Sequence, residues 1–236
     1  MKSMQIDGNK IRNIVVEDFE REYSKKPQLH SIAVVGGSLD DHEVRVVGKY
    51  FPNAKIEVFG IEKSQNYLDL NEENNIVSKF DLVLCTNVLE HVFHHENFAK
   101  NLISLLNPSG EIWCSFPFND LYHGSPHYYS AGFHPEYLNK LFSRNGAKVK
   151  KSKLISSKRG YLFTHLLKDW PSEFRYDHPL AGQVIWALGL RGNPRPPLRN
   201  LSMRRLLVCV ILSCTSKKIS EDPNFGCTVW SIVCRK

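Results

Sequence analysis

Hydrophobic and polar positions along this chain fall into blocks that switch between two periods. Residues 31–36, SIAVVG, are an unbroken apolar run closed by glycine, the pattern of a parallel strand buried on both faces. A helical period follows: Val44, Val47 and Phe51 share one face, and Asp40 with Glu43 has the spacing of a capping box. Residues 53–62, NAKIEVFGIE, predict a second strand that ends at Glu62, and residues 66–73, NYLDLNEE, a short third one. FDLVLCT, residues 80–86, predicts a fourth strand that runs straight into polar Asn87, Glu90 and His91. A helix over 95–106 turns Phe98, Leu102, Leu105 and Leu106 inward and is stopped by NPSG. EIWCSFPF, residues 111–118, predicts a fifth strand.

The loop NDLYHGSPHYYSAGF, residues 119–133, leads to a helix with Pro135 in its first turn, Leu138, Leu141 and Phe142 inward, and NG at its end. AKVKKSKLI, residues 147–155, alternates as a sixth strand, and GCTVWSIVCRK, residues 226–236, as a terminal one. Strands that alternate with helices predict an α/β fold with a doubly wound, mostly parallel sheet. The whole chain, 1–236, reads as one domain, with residues 156–225 inserted before the last strand as a substrate or lid region. Within the insertion, LSMRRLLVCVILSCT reads as a buried helix or strand. Ligands of such sheets bind beyond the carboxyl ends of the strands, at the switch point. Asn87, Glu90 and His91 fall at that edge, as do Gly36, Gly37 and Glu62.

Composition adds constraints. At 236 residues, 42% hydrophobic and 23% charged, the chain is long enough to bury a sizeable core and reads as a soluble globular protein. Its net charge of +7 is unevenly placed: residues 1–143 carry −6, and residues 144–236 carry +13. The basic part is either a solvated surface or a seat for an anionic partner, a sugar phosphate, nucleic acid or acidic lipid. The clean apolar run LLVCVIL, residues 206–212, is far shorter than the roughly 20 residues of a membrane-spanning helix. The first 20 residues lack the apolar stretch of a secretion signal. The six cysteines sit mostly inside apolar runs and form no C-x-x-C pair, so they read as reduced core thiols in a cytoplasmic protein.

The chemistry concentrates at the strand ends. Gly36 and Gly37 allow a tight strand-to-helix turn and a close ligand approach. A carboxylate at Glu62 suits both hydroxyls of a ribose. The turn is not G-x-G-x-x-G and offers no pyrophosphate cradle, which favours a nucleoside without phosphate over a dinucleotide. In YHGSPHYYS, a turn at Gly124, Ser125 and Pro126 would present His127 over the end of the fifth strand.

Together, VVGG, VFGIE, FDLVLCTNVLEHV, LLNPSGEIWCSFP and SAGFHPEYLNKLFSRNGAKV resemble, in order and spacing, the class I S-adenosylmethionine-dependent methyltransferases. The likeness is to the methyltransferase-domain group found among sugar and natural-product O-methyltransferases. It covers about residues 30–155 and the last strand. It implies a Rossmann-like fold with a seven-stranded, mostly parallel sheet whose last strand is antiparallel. It implies S-adenosyl-L-methionine as cofactor, with Gly36 and Gly37 at its methionine part, Glu62 on the ribose, Asp69 near the adenine amine, and Thr86 and Asn87 beside the sulfonium. The family's first motif reads acidic-x-G-x-G-x-G; here Val34 stands at the acidic place, and Ser38 and Asp40 replace the later glycines.

The activity implied is O-methylation of a sugar or other small hydroxylated acceptor, anionic in view of the basic end, in a setting such as polysaccharide biosynthesis. His127, with His123 as second candidate, would take the hydroxyl proton, since imidazole exchanges protons near neutral pH. A nucleic-acid methyltransferase and a non-catalytic binding module are the competing readings, and peripheral membrane contact fits the same basic segment. No metal is expected. Relatives with E-x-x-E-H after the fourth strand bind a divalent ion, but Asn87 stands at the first ligand place, leaving Glu90 and His91 with His123 or His127 as the remaining combination.

Overall fold

The computed structural model describes residues 7–24, 26, 29–40, 42–61, 65–119, 127–157, 219–221 and 226–236. Its strands are β1 (Ser31–Val35), β2 (Lys55–Gly60), β3 (Asn66–Tyr67), β4 (Phe80–Thr86), β5 (Leu106–Pro117), β6 (Ala147–Ser157), β7 (Ile219–Ser220) and β8 (Gly226–Arg235). Its helices are α1 (Asp7–Tyr23), α2 (His42–Tyr50), α3 (His95–Ser104) and α4 (Pro135–Arg144). One sheet holds the strands in the order β3-β2-β1-β4-β5-β8-β6-β7. Strands β1 to β5 pair in parallel. Strand β8 enters antiparallel between β5 and β6. Seven of these strands make the sheet expected from the sequence, with the chain's last strand antiparallel. The two-residue β7 extends its edge by pairing with Ser156 and Ser157.

Alternate residues of the central strands serve two cores. Ile32 and Val34 of β1 pack with Leu82, Leu84, Trp113, Val47 and Phe51 on the face covered by α1 and α2. Ala33 and Val35 pack with Val83, Cys85, Phe98, Leu102, Leu138 and Phe142 on the face covered by α3 and α4. A strand with no solvent face reads as a continuous apolar run, as SIAVV does. Helix α4 follows the expected signals: His134 caps it by accepting the Glu136 amide at 3.2 Å, and Pro135 opens it. At its end Gly146 takes φ +81°, where a side chain would be strained.

Several boundaries differ from the pattern. Helix α3 ends at Ser104, and β5 starts at Leu106, ahead of the NPSG turn. Phe80 pairs with Leu106 while Leu82 pairs with Glu111, so residues 107–110 loop out within the β4–β5 ladder. The turn signal was real, but it sits inside a strand. Strand β3 is cut to Asn66–Tyr67. Strand β6 runs on to Ser157, into the range assigned to the insertion, and β7 also lies in that range. Residues 201–215 are outside the described residues. Helix α1 has no counterpart among the expected elements. Its Ile14, Val15, Phe19 and Tyr23 form a helical stripe against the stacked rings of Trp113 and Trp230, whose centroids are 4.5 Å apart. Buried Asp18 fixes it there, accepting Trp230 Nε1 and Lys153 Nζ, each at 2.8 Å.

Candidate active site at the carboxyl edge of the sheet

The two cores locate a crevice. The connection leaving β1 runs through α2 on one face, and that leaving β4 runs through α3 on the other. Adjacent strands whose connections diverge leave an opening beyond their carboxyl ends. On the β1 side, Gly36 turns the chain at φ +83° and donates its amide to Phe59 O at 2.8 Å. A Cβ there would lie 2.3 Å from Val88 Cγ2, so the glycine also admits Val88 over the turn. Gly37 and Ser38 follow, half-buried. Val34, at the family's acidic place, is 3% exposed and points into the α1/α2 core.

On the β4 side, Thr86 pairs with Ser115 and stays half-buried. Asn87 stands exposed in the left-handed region at φ +52°, its amide donating to Ser115 O at 2.8 Å. Asparagine tolerates that conformation better than most residues with a side chain. Glu62 is outside the described residues. Exposed Ile61 and Tyr67 bracket it in sequence at the ends of β2 and β3. Asp69 is half-buried, and its Oδ1 accepts the Asn71 amide at 2.8 Å and Asn71 Nδ2 at 3.1 Å. The carboxylate expected near an adenine amine thus also closes a local turn. A glycine turn, a hydroxyl, a carboxamide and exposed apolar side chains on one sheet edge are a group set that fits a nucleoside with a polar tail.

A 3-10 turn, Leu89–His91, follows Asn87. Glu90 is 1% exposed, and its carbonyl accepts the amides of Tyr129 at 2.8 Å and Ser130 at 3.4 Å. His91 Nδ1 meets the carbonyl oxygen of His127. The structure therefore brings His91 and His127 together, and the His127 ring is exposed, with Nδ1 3.5 Å from Tyr129 OH. His123 is outside the described residues. Phe93, 64% exposed, meets Tyr129, 47% exposed, edge to face at 5.4 Å. Among the described residues no group of three or more His, Cys, Asp or Glu side chains is placed to hold a metal ion. Burial, with Cys114 and Glu90 nearby, pushes the Cys85 thiol well above its ordinary value, so it is no nucleophile at neutral pH.

Two contributors carried no sequence signal. Val88 meets Gly36 only through the tertiary fold. Asn71 ties the β3–β4 connection to the segment before α3, its Oδ1 accepting the amides of Phe93 at 2.7 Å and His94 at 3.1 Å.

A family model described as a methyltransferase domain matches residues 8–179, most of the chain. The chain belongs to the methyltransferase-domain family. Among curated proteins no sequence matches it. Solved structures share the family's fold. An O-methyltransferase from the trans-AT PKS multienzyme of Brevibacillus brevis, in complex with S-adenosyl-L-homocysteine, is 8% identical with a TM-score of 0.54, covering 98% of this chain and 75% of that one. Coclaurine N-methyltransferase, bound to N-methylheliamine and S-adenosylhomocysteine, is 11% identical at TM-score 0.53, with 94% and 70% covered. The 4+2 cyclase SpnF is also 11% identical, at TM-score 0.55, with 94% and 80% covered. No described helix of this methyltransferase-family chain is long and apolar enough to cross a membrane.

Proposed function

We propose that the chain transfers a methyl group from S-adenosyl-L-methionine to a hydroxyl of a small acceptor, a sugar or another hydroxylated compound. The observation that carries this is the switch-point crevice, where the Gly36 turn faces Thr86 and left-handed Asn87 in a chain of the methyltransferase-domain family. Gly36, Gly37, Glu62, Asp69, Thr86 and Asn87 are assigned to hold the cofactor, which supplies an electrophilic methyl when bound. Methyl transfer asks the protein mainly for alignment. His127, exposed and fixed through its backbone, is assigned to accept the hydroxyl proton, a contribution of roughly 10²–10⁴-fold. His123 remains the second candidate.

A nucleic-acid acceptor is less well supported. On β6, Lys150 pairs with Glu111 at 2.8 Å, Lys153 with Asp18 at 2.8 Å, and Lys151 with Glu22. Lysines committed to internal carboxylates make a poor phosphate track. The fold also occurs in a cyclase, so a chain that binds without transferring methyl is the outcome to exclude. Nothing in the comparisons speaks for a role in polysaccharide synthesis.

Calorimetry with S-adenosylmethionine and S-adenosylhomocysteine, then S-adenosylhomocysteine release across a panel of monosaccharides, their phosphates and phenols, tests the proposal. Binding of both nucleosides and release with at least one panel member is expected. No binding would sink it. Binding with release only on RNA or DNA would move the assignment to nucleic acid. In the active case, His127→Ala should lower kcat about ten-fold or more with cofactor binding intact.

A further inference from the structure

Residues 127–130 return from the loop after β5 and are fastened to the 3-10 turn behind β4. The Glu90 carbonyl takes the amides of Tyr129 and Ser130, while the His91 ring reaches the carbonyl of His127 itself. The Tyr128 ring lies 5.9 Å from that of His91. A carbonyl oxygen only accepts hydrogen bonds, so His91 Nδ1 must carry the hydrogen. That fixes the tautomer: in the neutral ring the lone pair is on Nε2. The Nδ1–H is present in the neutral ring and in the imidazolium alike, so acidification does not release the bond. The same bond removes Nδ1 from service as a base or metal ligand.

We propose that His91 is a positioning residue: its Nδ1–H fixes the His127 backbone and through it the angle at which the His127 imidazole meets the acceptor, an inference that rests on the assignment of His127 as base. The side chain is well suited to the task. It is half-buried, it leaves the 3-10 turn whose neighbouring carbonyl already holds residues 129 and 130, and it grips the residue that does the chemistry. Displacements near 1 Å at a reacting group can cost about 10²-fold in rate, so a single well-placed donor matters.

Three substitutions separate this role from a general structural one. His91→Asn puts an amide donor where Nδ1 was, His91→Gln puts it where Nε2 was, and His91→Ala supplies neither. Nitrogen-15 histidine NMR of the full chain should find His91 with its proton on Nδ1. The His127 ring resonances should shift in His91→Ala, return in His91→Asn, and stay shifted in His91→Gln. Calorimetry with S-adenosylhomocysteine should be unchanged in all three, which confirms their folding. With the panel compound that gives the fastest S-adenosylhomocysteine release, kcat should fall about ten-fold in His91→Ala and recover in His91→Asn, with KM for S-adenosylmethionine constant. The loss should disappear in the His127→Ala background. A proton on His91 Nε2 with a bare Nδ1, or His127 resonances identical in wild type and His91→Ala, overturns the proposal. If His127→Ala alone keeps full turnover, the assignment of the base fails instead, while the tautomer and the Asn-versus-Gln pattern stand.

Discussion

Replacing Gly36 by alanine tests how the crevice is built. The new Cβ would lie 2.3 Å from Val88 Cγ2 and 3.0 Å from Cγ1. Two penalties follow. The backbone at φ +83° costs an alanine about 1–2 kcal/mol. Overlap with a packed valine costs about 1–3 kcal/mol more, because Val88 or the turn must move. Gly36→Ala should therefore lose about 2–5 kcal/mol in urea unfolding, read from the midpoint at unchanged slope. Val88→Ala removes both conflicting methyls and by itself should cost about 1–1.5 kcal/mol for a half-buried side chain. The double variant should be more stable than the sum of the single losses predicts, by about 1–3 kcal/mol, leaving the backbone part and a tight contact with the Val88 Cβ, 3.2 Å from the new one. Strict additivity would refute the steric reasoning, and a loss below about 0.5 kcal/mol in Gly36→Ala would refute both parts. Calorimetry on the double variant then asks the functional question separately. If S-adenosylhomocysteine still binds once the clash is relieved, the glycine serves the fold, and if binding is lost, it serves the ligand as well.

Other perturbations reach the supports of the site. Asp18→Ala should destabilise by about 3–5 kcal/mol, because it leaves Lys153 Nζ and the buried Trp230 Nε1 without the carboxylate they share; tryptophan fluorescence during urea unfolding measures it. Asn71→Ala should cost about 1–3 kcal/mol and speed hydrogen exchange at the amides of Phe93 and His94, which it accepts. Glu111 sets an acid limb. Burial raises its pKa, but hydrogen bonds and charges of Lys150 and Lys26 outweigh that and hold it below the ordinary 4.5. A depressed folded value means that this stability is present above 4.5 and lost as pH falls through the folded value, and Lys150→Met should flatten that limb in acid unfolding.

What the sequence made legible was what local pattern controls. The two-sided burial of β1 appears as SIAVV, and the end of α4 as NG. The edge that carries the candidate site was also readable, because polar Asn87, Glu90 and His91 break an apolar strand where the chain leaves the sheet. What stayed hidden depends on partners far along the chain. NPSG reads as a helix stop, yet its place inside β5 is set by which residues of β4 lie opposite. Helix α1 carries a stripe of Ile14, Val15, Phe19 and Tyr23, but the charges around it mask that stripe until Trp113 and Trp230 are seen beneath it. His91 reads as a polar edge group or a ligand, because no pattern announces that its ring will meet the carbonyl of His127, 36 positions on.

The split of charge along the chain has a related explanation. In sequence, an acidic part precedes a basic one, which suggests an anionic partner for the basic end. Among the described residues, three lysines of the basic part lie beside carboxylates of the acidic one. Glu22 and Asp18 of α1 meet Lys151 and Lys153 of β6, 129 and 135 positions away, and Glu111 of β5 takes Lys150 of β6 and Lys26 beyond α1. Asp18 is 1% exposed, and a carboxylate that deep is held only because lysine, arginine and an indole N–H converge on it. The basic row on β6 is thus partly the complement of an internal acidic surface. It lies on an otherwise weakly protected strand, where lysines also discourage pairing with other chains. Those three lysines are therefore engaged inside the fold, whereas Phe93, Tyr129 and His127 present exposed side chains.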